Sequence, residues 1–242
     1  MSIYVTRHGL REDWVNREWR KTAARPSDPP LSADGFVVAS ELGEACKSKY
    51  NDIQHIICSP MERCVQTANE IAKRLNLKIK IDNGVIEYLG HNPDEQLQPL
   101  SIEELAKLYP IDTTYQPSTT YVPGAETEQD VLNRTKKAFV YFSEKFENQT
   151  YIIVTHAATL IAICRSIIND TTYPFRSGVC SLTKFVESKT AINPDDKWTV
   201  EFTGEVSYLK KGEQFHWTFP KPNNRNNNNN NTDKPVTDLL FC

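Results

Sequence analysis

An arginine and a histidine stand side by side where the first apolar run of the chain ends. The run is Ile3-Tyr4-Val5, and Arg7-His8-Gly9 follows it after a single threonine. A neutral histidine held by an arginine at the end of a strand can attack phosphorus, provided that other cationic groups converge on the same point. Such a tripeptide also occurs by chance, so its chemistry depends on what the rest of the sequence places beside it.

Two further residues occupy comparable places. Arg63 follows the apolar run 53–58, and His156 follows the apolar run 151–154. A cation in the first turn of a helix is disfavoured by the helix dipole unless an anion binds nearby. The alternatives are a surface arginine and a buried structural histidine. The small residues on either side of His156 favour a ligand-binding role for this histidine, because they leave room for a ligand.

The elements that must position these residues alternate along the chain. Short apolar runs are followed by helical patterns, which predicts an α/β fold with a mostly parallel central sheet covered by helices on both faces. Ligands gather at the carboxyl ends of parallel strands. The residues that follow the runs 3–5, 53–58 and 151–154 are therefore predicted to meet at one edge of the sheet.

Polar residues are predicted to begin several helices. Ser59 stands before Pro60, and Glu62 follows three residues after the serine, which is the pattern of a capping box with proline in the first helical position. Ser59 is therefore predicted to be an N-cap. The capping-box pattern recurs before two other predicted helices, at Ser101 with Glu104 and at Thr127 with Asp130.

The last part of the chain differs in composition. Residues 178–219 are rich in Val, Thr, Phe and Trp, which predicts late or edge strands. Residues 223–231 are almost all asparagine, which predicts a disordered tail over 220–242. We therefore expect one catalytic domain over residues 1–219.

Composition narrows the range of partners and locations. The 242 residues carry a net charge of −3, so no broad basic surface is expected for nucleic acid, and an anion must be met by a local arginine cluster. No secretory signal or membrane-spanning segment is predicted. The six cysteines are scattered, without disulfide-dense spacing, which suits a reducing compartment. We expect a cytoplasmic protein, with the nucleus as a second location.

Taken together, these motifs resemble those of the histidine phosphatase superfamily, branch 1, whose founding members are the cofactor-dependent phosphoglycerate mutases. The likeness covers residues 1–219 and is greatest to the phosphatase domains of the suppressor of T-cell receptor signalling (Sts) proteins and to a tau-subunit domain of RNA polymerase III factor C. It implies a three-layer, phosphoglycerate mutase-like fold. The motifs appear in the family's order: Arg7-His8-Gly9-Leu10-Arg11, Asp28-Pro29-Pro30-Leu31, the segment 58–68, Pro123-Gly124-Ala125-Glu126-Thr127 and Thr155-His156-Ala157.

The resemblance assigns a role to each residue. His8 would be the nucleophile that becomes a phosphohistidine, kept neutral by surrounding positive charge. Arg7, Arg11 and Arg63 would hold the phosphate oxygens with forked hydrogen bonds. His156 would complete the pocket as a further donor.

The resemblance also points to an acid. Glu87 stands where the family carries the residue that gives a proton to the leaving group and later takes one from water. The alternative is an exposed loop carboxylate. The acid-phosphatase and phytase branch is rejected, because no histidine of this chain is followed by aspartate.

Other chemistries lack their sequence patterns. Cysteine-type tyrosine phosphatases need Cys-x5-Arg, whereas four residues separate Cys58 from Arg63. No nucleotide-binding glycine pattern and no metal-ligand spacing are present, so we expect neither a cofactor nor a metal. The predicted substrate is phosphotyrosine, a phosphoprotein or a small phosphorylated metabolite. A phosphoglycerate mutase-like phosphotransferase and a weakly active or inactive interaction scaffold stay open as alternatives, as does a homodimer.

Overall fold

The computed structural model describes residues 1–90, 96–188 and 197–219. The predicted Asn-rich tail, residues 220–242, lies outside the described residues. The strands that the structure describes are β1 (Ser2–Arg7), β2 (His55–Cys58), β3 (Ile79–Ile81), β4 (Tyr151–Thr155), β5 (Leu182–Glu187) and β6 (Trp198–Glu205). The helices are α1 (Glu12–Val15), α2 (Trp19–Thr22), α3 (Ala33–Ser48), α4 (Glu62–Leu75), α5 (Ile102–Leu108), α6 (Glu128–Lys145) and α7 (Ala157–Ile167), with a 3-10 turn at Asn83–Val85.

The six strands form one sheet in the order β3-β2-β4-β1-β5-β6. The first four strands run parallel, with Ile3 of β1 opposite Tyr151 of β4. β5 and β6 are antiparallel additions, and β6 is an edge strand. The predicted mostly parallel sheet is therefore confirmed, and the late strands fall within residues 178–219.

Helices cover both faces of the sheet because the strand residues alternate between two cores. Tyr4 packs in the cluster that α3 and α4 form, whereas Ile3 and Val5 pack in the cluster that α6 and α7 form. The result is the predicted three-layer α/β/α architecture. Within the described ranges, no helix combines the length and apolar character needed to cross a bilayer.

Two of the predicted capping boxes are confirmed. Ser101 accepts the amide N–H of Glu104, Thr127 accepts that of Asp130, and each acidic side chain returns a bond to the N-cap amide. These reciprocal bonds satisfy amide groups that have no partner within the helix. The starts of α5 and α6 are therefore specified locally.

The predicted N-cap at Ser59 is wrong. α4 begins at Glu62 with Met61 in the N-cap position, and the Ser59 hydroxyl lies 2.7 Å from Nε2 of His156 instead. The amide of Glu62 donates to Oδ1 of Asp28 at 2.8 Å. A carboxylate from a distant loop thus serves the start of α4, because tertiary contacts supply both polar groups with other partners.

Gly9 is required by packing. A Cβ atom at this position would lie 2.6 Å from the carbonyl oxygen of Gly35 in α3, which is closer than a side chain tolerates. The glycine therefore allows the chain after β1 to pass directly over α3.

Candidate active site

Three neighbouring strands bring their terminal residues to one point. β4 lies between β1 and β2, and His8, Arg63 and His156 follow these strands at their carboxyl ends. The imidazole rings of His8 and His156 have centroids 5.3 Å apart, and Nη2 of Arg63 lies 3.3 Å from Nδ1 of His156. The structure thus brings together the residues that the sequence places after the three apolar runs.

His8 is held in a form that can act as a nucleophile. Its Nδ1 lies 2.6 Å from the carbonyl oxygen of Gly9, and since a carbonyl only accepts, Nδ1 carries the hydrogen and Nε2 keeps its lone pair. Nε2 is buried and has no hydrogen-bond partner among the described residues. Burial, followed by the positive charge of Arg63, holds the pKa of His8 well below its usual range. The imidazole is therefore neutral at neutral pH.

Glu87 is buried within the site, not exposed in a loop. One carboxylate oxygen, Oε2, lies 3.0 Å from both Nη2 of Arg63 and Nδ1 of His156, and Oε1 accepts the amide N–H of Tyr88. Burial alone would raise the pKa of this carboxyl group, but His156 and Arg63 outweigh it and lower the pKa far below its usual range. Glu87 is thus ionised in this state of the site.

His156 links Glu87 to the end of β2. Glu87 only accepts, so Nδ1 of His156 donates to it, and Nε2 accepts the hydroxyl of Ser59. Burial lowers the pKa of His156 to about 4, despite the opposing effect of Glu87. Burial raises the pKa of the nearby thiols, Cys58 and Cys64. Both sulfurs are therefore protonated, which is consistent with the absence of the Cys-x5-Arg pattern.

The three predicted arginines are not equivalent. Arg63 has two nitrogens, Nε and Nη1, that are buried without a hydrogen-bond partner among the described residues. Nη1 of Arg7 donates to the carbonyl oxygens of Ser177 and Phe215, and Arg11 forms a forked ion pair with Asp13. Arg63 thus brings hydrogen-bond donors beside the two histidines, while Arg7 and Arg11 add positive charge near them.

Further residues complete the site: Asp28 and Trp14 lie in the sequence between Arg11 and Leu31, whereas Phe215 has no sequence signal. Asp28 is buried and accepts the first amide of α4, with Oδ1 also 3.5 Å from Nη1 of Arg63. Trp14 lies between the site and the surface, with its ring centroid 6.0 Å from that of His8 and 5.0 Å from that of Phe215. Asp28 stood within a quoted motif, whereas nothing in the sequence connects Phe215 with Trp14.

The charge of the site suits an anion. His8, Glu87 and His156 are metal-ligating types whose ligand atoms lie within 4.8 Å of one another. However, the Arg63 guanidinium contacts Glu87 directly, and a divalent cation at this point would meet its positive charge. A tetrahedral oxyanion instead finds N–H donors on Arg63, next to the unprotonated Nε2 of His8 that could bond to its central atom.

Comparison with known proteins identifies a matching family and several relatives. Residues 3–193 match the profile of the histidine phosphatase superfamily (branch 1). The transcription factor tau 55 kDa subunit of Saccharomyces cerevisiae is 29% identical, covering 90% of this chain and 58% of its own length. The ubiquitin-associated and SH3 domain-containing protein A of Homo sapiens is 27% identical, covering 69% of this chain and 31% of its own length. The chain thus spans less than two thirds of either relative.

A solved structure shares the whole fold. The ecdysone phosphate phosphatase from Bombix mori, determined in complex with tungstate, matches with a TM-score of 0.67 at 22% sequence identity. The match covers 96% of this chain and 97% of that one. At this identity the likeness concerns the fold.

Proposed function

The protein belongs to branch 1 of the histidine phosphatase superfamily, and we propose that it hydrolyses phosphomonoesters without a metal ion, through a phosphohistidine on His8. The observation that carries this proposal is the neutral, buried His8, whose Nε2 has no hydrogen-bond partner among the described residues, together with the buried guanidinium of Arg63. A nucleophile and donors for the developing charge are what phosphoryl transfer requires of a protein. The names of related phosphatases, such as the ecdysone phosphate phosphatase, support the same reaction class.

In the first step, the Nε2 lone pair of His8 forms a bond to phosphorus while the bond from phosphorus to the leaving oxygen breaks. The electron pair goes to that oxygen, which takes a proton from Glu87. Arg63, with the charges of Arg7 and Arg11, offsets the charge on the equatorial oxygens. Nδ1 of His156 donates to the same group once phosphate replaces Glu87 as its partner.

Glu87 must gain a proton before this step, since Arg63 and His156 keep it ionised in the present arrangement. A phosphate bound beside it would share both partners and add negative charge, and each effect raises the pKa of the carboxyl group. We therefore expect proton uptake with substrate. In the second step the carboxylate takes a proton from water, the water oxygen bonds to phosphorus, and the bond between phosphorus and Nε2 returns its pair to His8.

The substrate is proposed as phosphotyrosine, a phosphoprotein or a small phosphorylated metabolite. An interaction scaffold with little turnover is the second candidate, and the relative named as a transcription factor subunit favours it. A phosphotransferase of the mutase type is the third. These candidates differ in whether the phosphoryl group reaches water, another acceptor or neither.

The decisive measurement is hydrolysis of 4-nitrophenyl phosphate in the presence of a chelator. Wild type should be active, and His8→Ala should lose activity to the background level. His55→Gln is the matched control, because His55 lies at the other end of β2 and bonds Gln149. Mass spectrometry of alkali-quenched enzyme should detect a phosphoryl group on His8.

Three results would overturn parts of the proposal. Activity lost on chelation contradicts the metal-free reaction, and full activity in His8→Ala removes His8 as the nucleophile. Wild-type turnover no higher than the uncatalysed background favours the scaffold. A panel of phosphopeptides, sugar phosphates and phosphoglycerates then separates hydrolysis from transfer.

A further inference from the structure

The backbone before Glu87 is held by hydrogen bonds from side chains of other elements. Glu87 follows the 3-10 turn Asn83–Val85 and belongs to no strand or helix. Each of the three carbonyl oxygens before it nevertheless accepts a side-chain hydrogen bond. The bonds are Arg134 Nη1 to Gly84 at 3.1 Å and to Ile86 at 3.2 Å, Thr155 Oγ1 to Val85 at 2.7 Å, and Thr159 Oγ1 to Ile86 at 2.9 Å.

Arg134 is itself fixed by Glu126. Its Nε and Nη2 donate to the two carboxylate oxygens of Glu126, each at 2.7 Å, and neither side chain is more than 9% exposed. The amide of Glu126 donates to the carbonyl oxygen of Gly90 at 2.8 Å. The ion pair therefore holds the chain on both sides of Glu87, three residues before it and three after it.

This arrangement matters most during the reaction. The Glu87 carboxylate is now anchored by Arg63 and His156, but a bound phosphate would compete for both groups. Only the amide of Tyr88 and the backbone would then keep the carboxylate in line with the leaving oxygen. A displacement of about 1 Å in a reacting group can cost on the order of 100-fold in rate.

We propose that Arg134 and Glu126 act as positioning residues for Glu87, holding its carboxyl group at the leaving oxygen when phosphate occupies the site. This inference rests on the proposed role of Glu87 as the acid. It predicts that disturbing Arg134 harms the transfer of a proton to the leaving group more than it harms the attack of His8. The two effects can be separated by changing the leaving group.

The test uses kcat/KM for two substrates, since this ratio reports the first step alone. 4-Nitrophenolate leaves without a proton, whereas phenolate needs one. Arg134→Lys keeps the positive charge beside Glu126 but cannot form the paired hydrogen bonds of the guanidinium. In this variant, kcat/KM for phenyl phosphate should fall about 10- to 100-fold. For 4-nitrophenyl phosphate it should fall less than about threefold. Glu126→Gln, which keeps the amide bond to Gly90, should show the same bias more weakly.

Lys137→Gln is the matched control, because Lys137 is exposed on the same helix. Thermal unfolding of each variant identifies a general loss of folded protein, which would lower activity toward both substrates equally. An equal loss on both substrates, or no loss on phenyl phosphate, overturns the positioning role. In a Glu87→Gln background, Arg134→Lys should add little further loss, because both changes act on one proton transfer.

The Glu87→Gln variant also separates the two levels of inference. If Glu87→Gln itself shows no bias between the substrates, the proposed acid is wrong. If Glu87→Gln shows the bias and Arg134→Lys does not, Glu87 keeps its role and only the positioning by Arg134 fails.

Discussion

The floor of the site and its mouth rest on different kinds of structure. The floor, which comprises His8, Arg63, Glu87 and His156, lies against the ends of parallel strands, and none of these side chains is more than 3% exposed. The mouth, which comprises Trp14 and Phe215, lies on the four-residue helix α1 and on a segment without helix or strand. Phe215 is 46% exposed. The chemistry is thus fixed by the sheet, while access depends on weaker local structure.

Arg7 joins the two regions. Its guanidinium lies 5.3 Å from the Trp14 ring centroid, and Nη1 donates to the carbonyl oxygen of Phe215 at 2.5 Å. Phe215 adopts a φ of 52°, a left-handed conformation that costs a residue with a side chain about 1–2 kcal/mol. The mouth is consequently held over the floor by a contact to one of the arginines predicted to bind phosphate.

The largest effect should come from the floor. Arg63→Ala removes the buried guanidinium donors beside His156, and kcat/KM for 4-nitrophenyl phosphate should fall about 100- to 1000-fold. Arg63→Lys should recover only part of this loss, because an ammonium cannot form the fork. Arg74→Ala is the control, since Arg74 lies in the last turn of the same helix. A loss below tenfold in Arg63→Ala would mean that Arg7 and Arg11 bind the phosphate instead.

The next effect concerns the stability of the floor. The pKa of His156 is about 4 in the folded protein and 6.5 ordinarily, so the unfolded chain takes up a proton first as the pH falls. The stability that neutral His156 contributes is present above pH 6.5 and is lost progressively down to about pH 4. The loss should reach about 2 kcal/mol at pH 5.

Urea unfolding of wild type and His156→Gln at pH 7.5, 6 and 5 measures this loss. As the pH is lowered, the wild-type free energy of unfolding should fall more steeply than that of the variant. Equal slopes would mean that His156 has the same pKa in the folded and the unfolded protein, and the floor would then be less isolated from solvent than its burial indicates.

The same contrast explains what the sequence could predict. The sequence predicts the floor because apolar runs mark buried strands and parallel strands end at one edge of the sheet. The positions of Arg63 and His156 after such runs are enough to place them there. Ser59 was misassigned because a local capping pattern gives no sign that a distant imidazole competes for its hydroxyl. Trp14 and Phe215 are separated by 200 residues along the chain, and no local pattern encodes a contact of that kind.

The smallest predicted effect tests whether the mouth restricts entry. Phe215→Ala removes the ring stacked on Trp14 but keeps the carbonyl oxygen that binds Arg7. A stacked aromatic pair contributes about 0.5–1.5 kcal/mol. If substrate must wait for this stack to open, kcat/KM for 4-nitrophenyl phosphate should rise about 2- to 10-fold, in proportion to the open population.

Val140→Ala on α6 is the control for Phe215→Ala, because Val140 is an apolar residue of similar exposure, 49%. An increase confined to Phe215→Ala means that the stack limits access to His8. A decrease in kcat/KM means instead that the Phe215 ring binds the substrate, so that the mouth takes part in substrate recognition. An unchanged kcat/KM means that the stacked pair of Trp14 and Phe215 does not limit entry of the substrate.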